Sequence, residues 1–193
     1  IVDEVHGVVK EGKEGMVFYG LSNKNGVVIK IFKMVKEFAN RNEYIKGDAR
    51  FYRQKFEDCS KREQVELWCQ KEYRNLVRCF KCGVNVPTPI TFKRNVLFIE
   101  FIGKGGWPAP TLKEVPAFRN IKSSKIVGYY AEVITNVKLM FQCALLVHGD
   151  LSEYNILMQA SEEVKNEIEN RRKIGSGKIV FIDFAQSVHR DHP

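Results

Sequence analysis

The chain has 193 residues, 44% of them hydrophobic, with 31 Lys and Arg against 23 Asp and Glu for a net charge of +8. That apolar content supports one core, or two small lobes sharing a cleft, and no run approaches the length of a membrane-spanning helix. The positive balance suits a polyanionic partner such as a nucleotide, an RNA or a phosphorylated surface, although many soluble domains are this basic without one.

In chain order, Val8-Val9 and Met16-Val17-Phe18-Tyr19 flank Lys10-Glu11-Gly12-Lys13-Glu14-Gly15, and Asn25-Gly26 gives a tight-turn signal before Val27-Val28-Ile29-Lys30-Ile31-Phe32. This pattern predicts three antiparallel strands with a Gly-bearing loop between the first two. From Lys33 to Arg62, basic residues interleave with Phe38, Tyr44, Phe51, Tyr52 and Phe56. That segment is either a solvated loop-helix or a surface for nucleic acid or substrate. Glu63 to Lys81 reads as a helix with Val65, Cys69, Leu76 and Phe80 on one face and Glu72 within the stripe. Pro87 and Pro89 break the chain before a strand over Val96–Ile102 that ends at Gly103. The Gly105-Gly106-Trp107-Pro108-Ala109-Pro110 stretch reads as a linker, dividing the chain into 1–103 and 104–193. Ser124 to Val147 is predicted as one long helix with Ile126, Tyr130, Val133, Val137, Met140, Phe141, Ala144 and Leu145 on one side. Ser161 to Lys173 reads as a charged, exposed helix, and Lys178–Ile182 as a strand.

The five cysteines, Cys59, Cys69, Cys79, Cys82 and Cys143, are odd in number and scattered. Cys79-x-x-Cys82 has zinc-like spacing without a second pair, so reduced thiols and an intracellular setting are expected. The chain opens at Ile1 without a Met and is expected to be a trimmed piece, so it carries no information on targeting signals outside it.

Two charges stand out because each is awkward alone. Lys30 lies in the most β-branched run and Glu72 in the apolar stripe of the following helix. An unpaired buried charge costs several kcal/mol, so each needs a partner or must sit at a margin. Farther along, His148-Gly149-Asp150-Leu151-Ser152-Glu153-Tyr154-Asn155-Ile156-Leu157 is followed by Ile182-Asp183-Phe184. Asp150, Asn155 and Asp183 thus fall on short turns between apolar segments. Two of them could hold Mg²⁺ through hard oxygen ligands, leaving one carboxylate to orient a nucleophile. Asp and Asn often do no more than cap turns; the complete string and its spacing favour chemistry.

The layout is similar to the protein-kinase pattern H-R-D-L-x-x-x-N followed by D-F-G. More closely, the chain resembles the RIO family of atypical protein kinases, first branch. The matching pieces are Gly12-Lys13-Glu14, Lys46-Gly47-Asp48-Ala49-Arg50-Phe51, Lys71-Glu72-Tyr73-Arg74-Asn75-Leu76, Phe101-Ile102-Gly103 with Pro108-Ala109-Pro110, Asp150-Leu151-Ser152-Glu153-Tyr154-Asn155, and Ile182-Asp183 with Gln186-Ser187-Val188 and Asp191-His192-Pro193. The resemblance implies an α+β, two-lobed protein-kinase-like fold: an antiparallel sheet plus helix in the N-lobe and a mostly helical C-lobe. It implies ATP and Mg²⁺ as cofactors. Gly12, Lys13 and Val17 would form the phosphate loop, Lys30 would contact the phosphates and Glu72 would orient it. The backbone of Glu100 and Ile102 would bind adenine, Asp150 would be the catalytic base, and Asn155 and Asp183 the metal ligands.

The family likeness further implies a Ser/Thr kinase or ATPase acting in small ribosomal subunit maturation, with a phospho-aspartate formed at Asp183. The partners implied are the pre-ribosomal small subunit and its RNA, with no membrane or DNA. The location implied is cytoplasmic, and also nuclear if the source is eukaryotic. Phe184-Ala185 replaces the Phe-Gly of ordinary kinases, and the resemblance implies that the peptide-docking segment of those kinases is lacking. Two other readings compete: a nucleotide-gated RNA-binding module that hydrolyses ATP only for release, and a small-molecule kinase of the aminoglycoside or choline type.

Overall fold

The computed structural model describes residues 2–13, 15–34, 41–45, 48, 59–115, 123–160 and 177–192. The predicted Ser161–Lys173 helix, most of the basic-aromatic Lys33–Arg62 segment, Glu14, and the Lys46–Phe51 match apart from Asp48 fall outside these residues.

Strands β1 (Glu4–Glu11), β2 (Gly15–Ser22), β3 (Asn25–Phe32), β4 (Pro89–Lys93) and β5 (Val96–Glu100) form a five-stranded sheet in the order β1-β2-β3-β5-β4. Every neighbouring pair is antiparallel. The β2–β3 turn lies two residues earlier than Asn25-Gly26 suggested: Ser22 pairs with Asn25, leaving Asn23 (φ 49°) and Lys24 (φ 66°) as the turn. Asn tolerates the left-handed region without glycine. Gly26 serves packing instead, since a Cβ there would meet Phe101 and Tyr19 atoms at 3.2 Å.

After the short helix α1 (Arg41–Ile45) comes α2 (Lys61–Lys81), which packs on β4 and β5. It starts with a reciprocal capping box: Glu63 N–H donates to Ser60 Oγ, and Ser60 N–H donates to Glu63 Oε2. Its buried stripe runs Val65, Trp68, Cys69, Glu72, Leu76 and Cys79. Phe80, predicted on that face, is 47% exposed, because Cys79 already occupies the inward position one residue earlier.

Helix α3 (Ser123–Gln142) is shorter than predicted. Leu145 turns the chain with φ 55°, and Leu146–Val147 leaves as β8. The inward side of α3 carries Tyr129 and Met140, with Val133 and Val137 packed alongside and Ala144 just past its end; Ile126, Tyr130 and Phe141 face outward. The expected linker contains a small ribbon, β6 (Gly103–Lys104) against β7 (Trp107–Pro108). Beyond β8, β9 (Ile156–Ala160) pairs with β10 (Gly177–Phe181), and β11 (Val188–His189) returns to β8. One apolar cluster runs from Phe32 and Leu97 in the sheet through Trp68 and Leu76 to Leu146, Ile179, Phe181 and Phe184. Sheet, α2 and the C-terminal strands therefore share a core.

The cysteines depart from the all-thiol expectation. Cys82, just past α2, and Cys143, just past α3, form a disulfide with Cα atoms 5.8 Å apart. The ends of the two helices meet there, so the cysteine pattern no longer argues for an intracellular setting. Cys69 and Cys79 stay buried and free, and burial pushes both thiols up to about 12. Among the described residues no helix is long and apolar enough to cross a membrane.

Candidate active site

The awkward charges find each other. Lys30 Nζ donates to Glu72 Oε1 and Oε2 at 3.0 and 2.8 Å, and to Asp183 Oδ1 at 2.9 Å. One ammonium thus ties β3, α2 and the turn after β10. Glu72 is 1% exposed, so this pair satisfies a charge with no access to water. Burial alone would lower the Lys30 ammonium, but the carboxylates of Asp183 and Glu72 reverse that and hold it raised. In return Lys30 holds the Asp183 carboxyl below its ordinary value, against burial, with a smaller pull from Lys10. Register explains the aim: Lys10, Val17, Lys30 and Leu97 follow one another across β1, β2, β3 and β5, and directly opposed residues share a sheet face. Lys10, a second cation in that row, was not singled out from sequence.

Asp150 and Asn155 lie on the turn between β8 and β9. Asn155 Nδ2 donates to the Asp150 carbonyl at 2.8 Å and to Asp150 Oδ2 at 3.0 Å, so Oδ1 is the Asn155 oxygen left to face a cation. The two loops are also joined directly, since Ile182 N–H donates to the Asn155 carbonyl at 3.0 Å. Asp183 has φ 67°, a left-handed conformation uncommon for non-glycine residues and most often taken by Asn and Asp. Among the described residues no group of three His, Cys, Asp or Glu gathers as a metal site. Mg²⁺ does not require one: it is commonly held by one or two protein oxygens with phosphates and water completing the octahedron. Asn155 Oδ1 and the ionised Asp183 fit that chemistry.

The remaining predicted positions are placed as follows. Gly12 N–H donates to the Gly15 carbonyl at 2.9 Å, closing the β1–β2 turn that carries exposed Lys13. Gly15 is sterically fixed, since a Cβ would meet the Ile31 carbonyl oxygen at 2.5 Å, whereas Gly12 has only ordinary contact at 3.8 Å. Glu100 ends β5 with its N–H given to the Thr88 carbonyl and its Oε2 accepting from Thr88 N–H and Oγ1. Ile102 is buried and its carbonyl accepts from Ala109 N–H at 2.9 Å.

Comparison with known proteins decides the family. The model of the RIO domain matches residues 16–165, more than half the chain. The chain is 34% identical to the serine/threonine-protein kinase RIO1 of Caenorhabditis elegans, over 98% of this chain and 33% of that protein. It is 35% identical to human serine/threonine-protein kinase RIO1, over 100% of this chain and 31% of that one. The RIO-type kinase Rio1 of Methanocaldococcus jannaschii is 35% identical over 98% of this chain and 57% of its own length. The chain belongs to the RIO kinase family. It spans about a third of the eukaryotic relatives it matches. The Rio2 kinase of Chaetomium thermophilum, in an ADP/Mg²⁺-phosphoaspartate complex, superposes with TM-score 0.68 at 20% identity, covering 100% of this chain and 50% of that one. That likeness carries the kinase-like fold.

Within this RIO domain several supporting residues carried no role in the sequence reading. His148 is buried at 3% exposure; its Nδ1 accepts from Asp150 N–H at 3.3 Å while Nε2 lies 3.0 Å from the Ile182 carbonyl. Those partners require the neutral tautomer with the proton on Nε2, which ties the Asp150 and Asp183 loops through one ring. Ser187 Oγ donates to the His148 carbonyl at 2.9 Å. Gly149 has φ 80°, and a Cβ there would meet the Gln186 carbonyl oxygen at 2.6 Å, so these loops can approach only with glycine.

Burial lowers the His148 pKa below 6.5, against the pull of the Ile182 carbonyl and of Asp183 and Asp150. The unfolded chain therefore takes up a proton at a higher pH than the folded one. Stability should fall as pH drops below 6.5, by at most about 1.4 kcal/mol per unit from this group. Urea titrations from pH 7.5 to 5.5 without divalent cations should show a smaller loss for His148→Gln than for the parent. Equal slopes would remove His148 as the cause.

Proposed function

We propose that this RIO domain is a Mg²⁺-ATP-dependent phosphotransferase, a Ser/Thr kinase or ATPase that serves small ribosomal subunit maturation in the cytoplasm. The observation that carries the reading is Lys30 Nζ held between Glu72 and Asp183 at 2.8 and 2.9 Å, since this joins a phosphate-directed cation to a metal-competent carboxylate. ATP would lie in the cleft between a lobe ending near Gly103 and the remainder, with adenine against the Glu100–Ile102 backbone. The phosphates would lie beneath the Gly12–Val17 turn. Lys30 would hold the α- and β-phosphates, and Glu72 keeps its ammonium aimed. Asn155 and Asp183 would supply oxygens to Mg²⁺, which when bound neutralises phosphate charge and holds the reacting phosphoryl group in line. Asp150, exposed beside Asn155, is free to orient the attacking hydroxyl or water and take its proton.

Family membership favours this over an aminoglycoside- or choline-type kinase. The Chaetomium Rio2 complex, which contains a phosphoaspartate, supports the finer proposal that Asp183 itself receives the γ-phosphoryl group. Pre-ribosomal RNA as a partner rests on the family resemblance and the +8 charge.

The test is to follow γ-labelled ATP into water, the protein or an added peptide. Asp150→Ala should retain Mg²⁺-ATP binding but lose about 10²–10⁴-fold in turnover, as removal of a positioned acid–base group typically does. A loss of nucleotide affinity as large as the loss of rate would make Asp150 a ligand. No transfer to any acceptor by the wild-type protein would overturn the phosphotransferase reading.

A further inference from the structure

Next to Glu72 on α2, Lys71 and Asn75 are both fully buried at 0% exposure. Donors of both reach the segment that follows Asp183. Lys71 Nζ donates to the carbonyls of Ala185 and Ser187 at 2.8 and 2.6 Å. Asn75 Nδ2 donates to the carbonyls of Phe184 and Ser187 at 3.0 and 3.3 Å. Three backbone carbonyls of the four residues after Asp183 therefore converge on α2. The turn is closed by Ser187 N–H donating to the Phe184 carbonyl at 3.2 Å, and the Trp68 ring centroid lies 5.1 Å from the ammonium.

We propose that Lys71 and Asn75 are positioning residues that fix the aim of Asp183 by clamping the backbone immediately downstream of it. The inference rests on the phosphotransferase reading and deepens it. Asp183 holds a left-handed φ of 67°, and such a conformation persists only where its surroundings over-determine it. Upstream, strand β10 ends at Phe181 in a paired ladder. Downstream, the Lys71–Asn75 clamp supplies the second anchor, so the carboxylate is suspended between two fixed points. The same helix also reaches the Asp183 side chain through Glu72 and Lys30. Thus α2 grips the loop twice, by side chain in the cleft and by backbone behind it, and a shift of α2 would disturb both. A buried ammonium is expensive to desolvate, and charge-assisted donation to two carbonyls is stronger than a neutral amide could make.

The test compares wild type, Lys71→Met, Lys71→Arg and Asn75→Ala. Backbone amide exchange over 184–188 is measured without nucleotide or metal, and Mn²⁺ binding is measured by electron paramagnetic resonance with a non-hydrolysable ATP analogue. Lys71→Met should weaken Mn²⁺ about 10–100-fold, the usual effect of removing a group that orients a metal ligand, while metal-free analogue affinity changes less than about threefold. Its 184–188 amides should exchange faster, and Lys71→Arg should recover most of both losses. Asn75→Ala should follow the same pattern more weakly, and it decides the matter if Lys71→Met does not fold. Folded variants with a lowered melting temperature but unchanged Mn²⁺ affinity would overturn the inference, leaving the clamp as packing. Wild-type protein that binds no Mn²⁺ with the analogue would overturn the phosphotransferase reading itself.

Discussion

Replacing Lys30 with Met is expected to abolish most turnover and also to destabilise the protein. Removal of one preorganised group that meets transition-state charge typically costs about 10²–10³-fold in rate. The destabilisation follows from the geometry around Glu72. Glu72 is 1% exposed, and both of its carboxylate oxygens accept from Lys30. Removing one partner of a buried ion pair costs about 3–5 kcal/mol. The double variant Lys30→Met/Glu72→Gln should therefore regain much of the lost stability without regaining activity, because no cation would face the phosphates. Urea unfolding and ATP turnover on the three proteins separate the two effects. A second signature follows from Asp183, whose carboxyl Lys30 holds below its ordinary value. A depressed carboxyl adds stability above its unfolded pKa of about 3.9 that is lost as pH falls through the folded value. In Lys30→Met that acid-sensitive contribution should shrink. Wild-type stability in Lys30→Met would show that the Glu72 charge finds another partner.

The legible parts of this molecule were those where one residue violated its local pattern. Lys30 in a β-branched strand and Glu72 in an apolar helical stripe each announced a missing partner, and the structure joins them. Asp150, Asn155 and Asp183 stood out because oxygen-bearing side chains sat on turns between apolar runs. Lys71 and Asn75 gave no such signal. Their contacts to the segment after Asp183 are to backbone carbonyls, which every residue possesses, so the sequence does not mark those contacts. His148 was hidden for the same reason, since it bridges an amide and a carbonyl. Helical faces were misread by small rotations: Phe80 in place of Cys79, and Tyr130 in place of Tyr129, where neighbouring positions are both apolar and periodicity cannot choose. Ser60-Lys61-Arg62-Glu63 carried a capping-box signal that was available and unused. The Cys82–Cys143 pairing depends on where two helices end in space, which spacing along the chain does not encode.

Asp183→Asn is expected to eliminate a covalent phosphoenzyme and to reduce turnover by at least about 10³-fold, as loss of a nucleophile does in enzymes that work through one. Asp183 Oδ1 already holds Lys30 at 2.9 Å, and its side chain is 38% exposed, so the carboxylate is ionised yet reachable. In the proposed step a carboxylate oxygen attacks the γ-phosphorus, the bond to the β–γ bridging oxygen breaks, and ADP departs. Water then cleaves the acyl phosphate to inorganic phosphate and restores the carboxylate, with its proton passing to solvent. Asn at this position can keep a hydrogen bond near Lys30 but offers no carboxylate to attack, and Lys30 then answers to Glu72 alone. Label on wild-type protein should be released by hydroxylamine, which attacks the acyl carbon to give a hydroxamate and inorganic phosphate. A phosphoserine ester would survive that treatment. Hydroxylamine-resistant label, or label that persists in Asp183→Asn, would place the phosphoryl group elsewhere and leave Asp183 the single role of a Mg²⁺ ligand. In that event turnover should still fall in Asp183→Asn, but raising Mg²⁺ should restore part of it. A missing nucleophile cannot be restored that way, so the magnesium titration separates the two roles even where the rates alone agree.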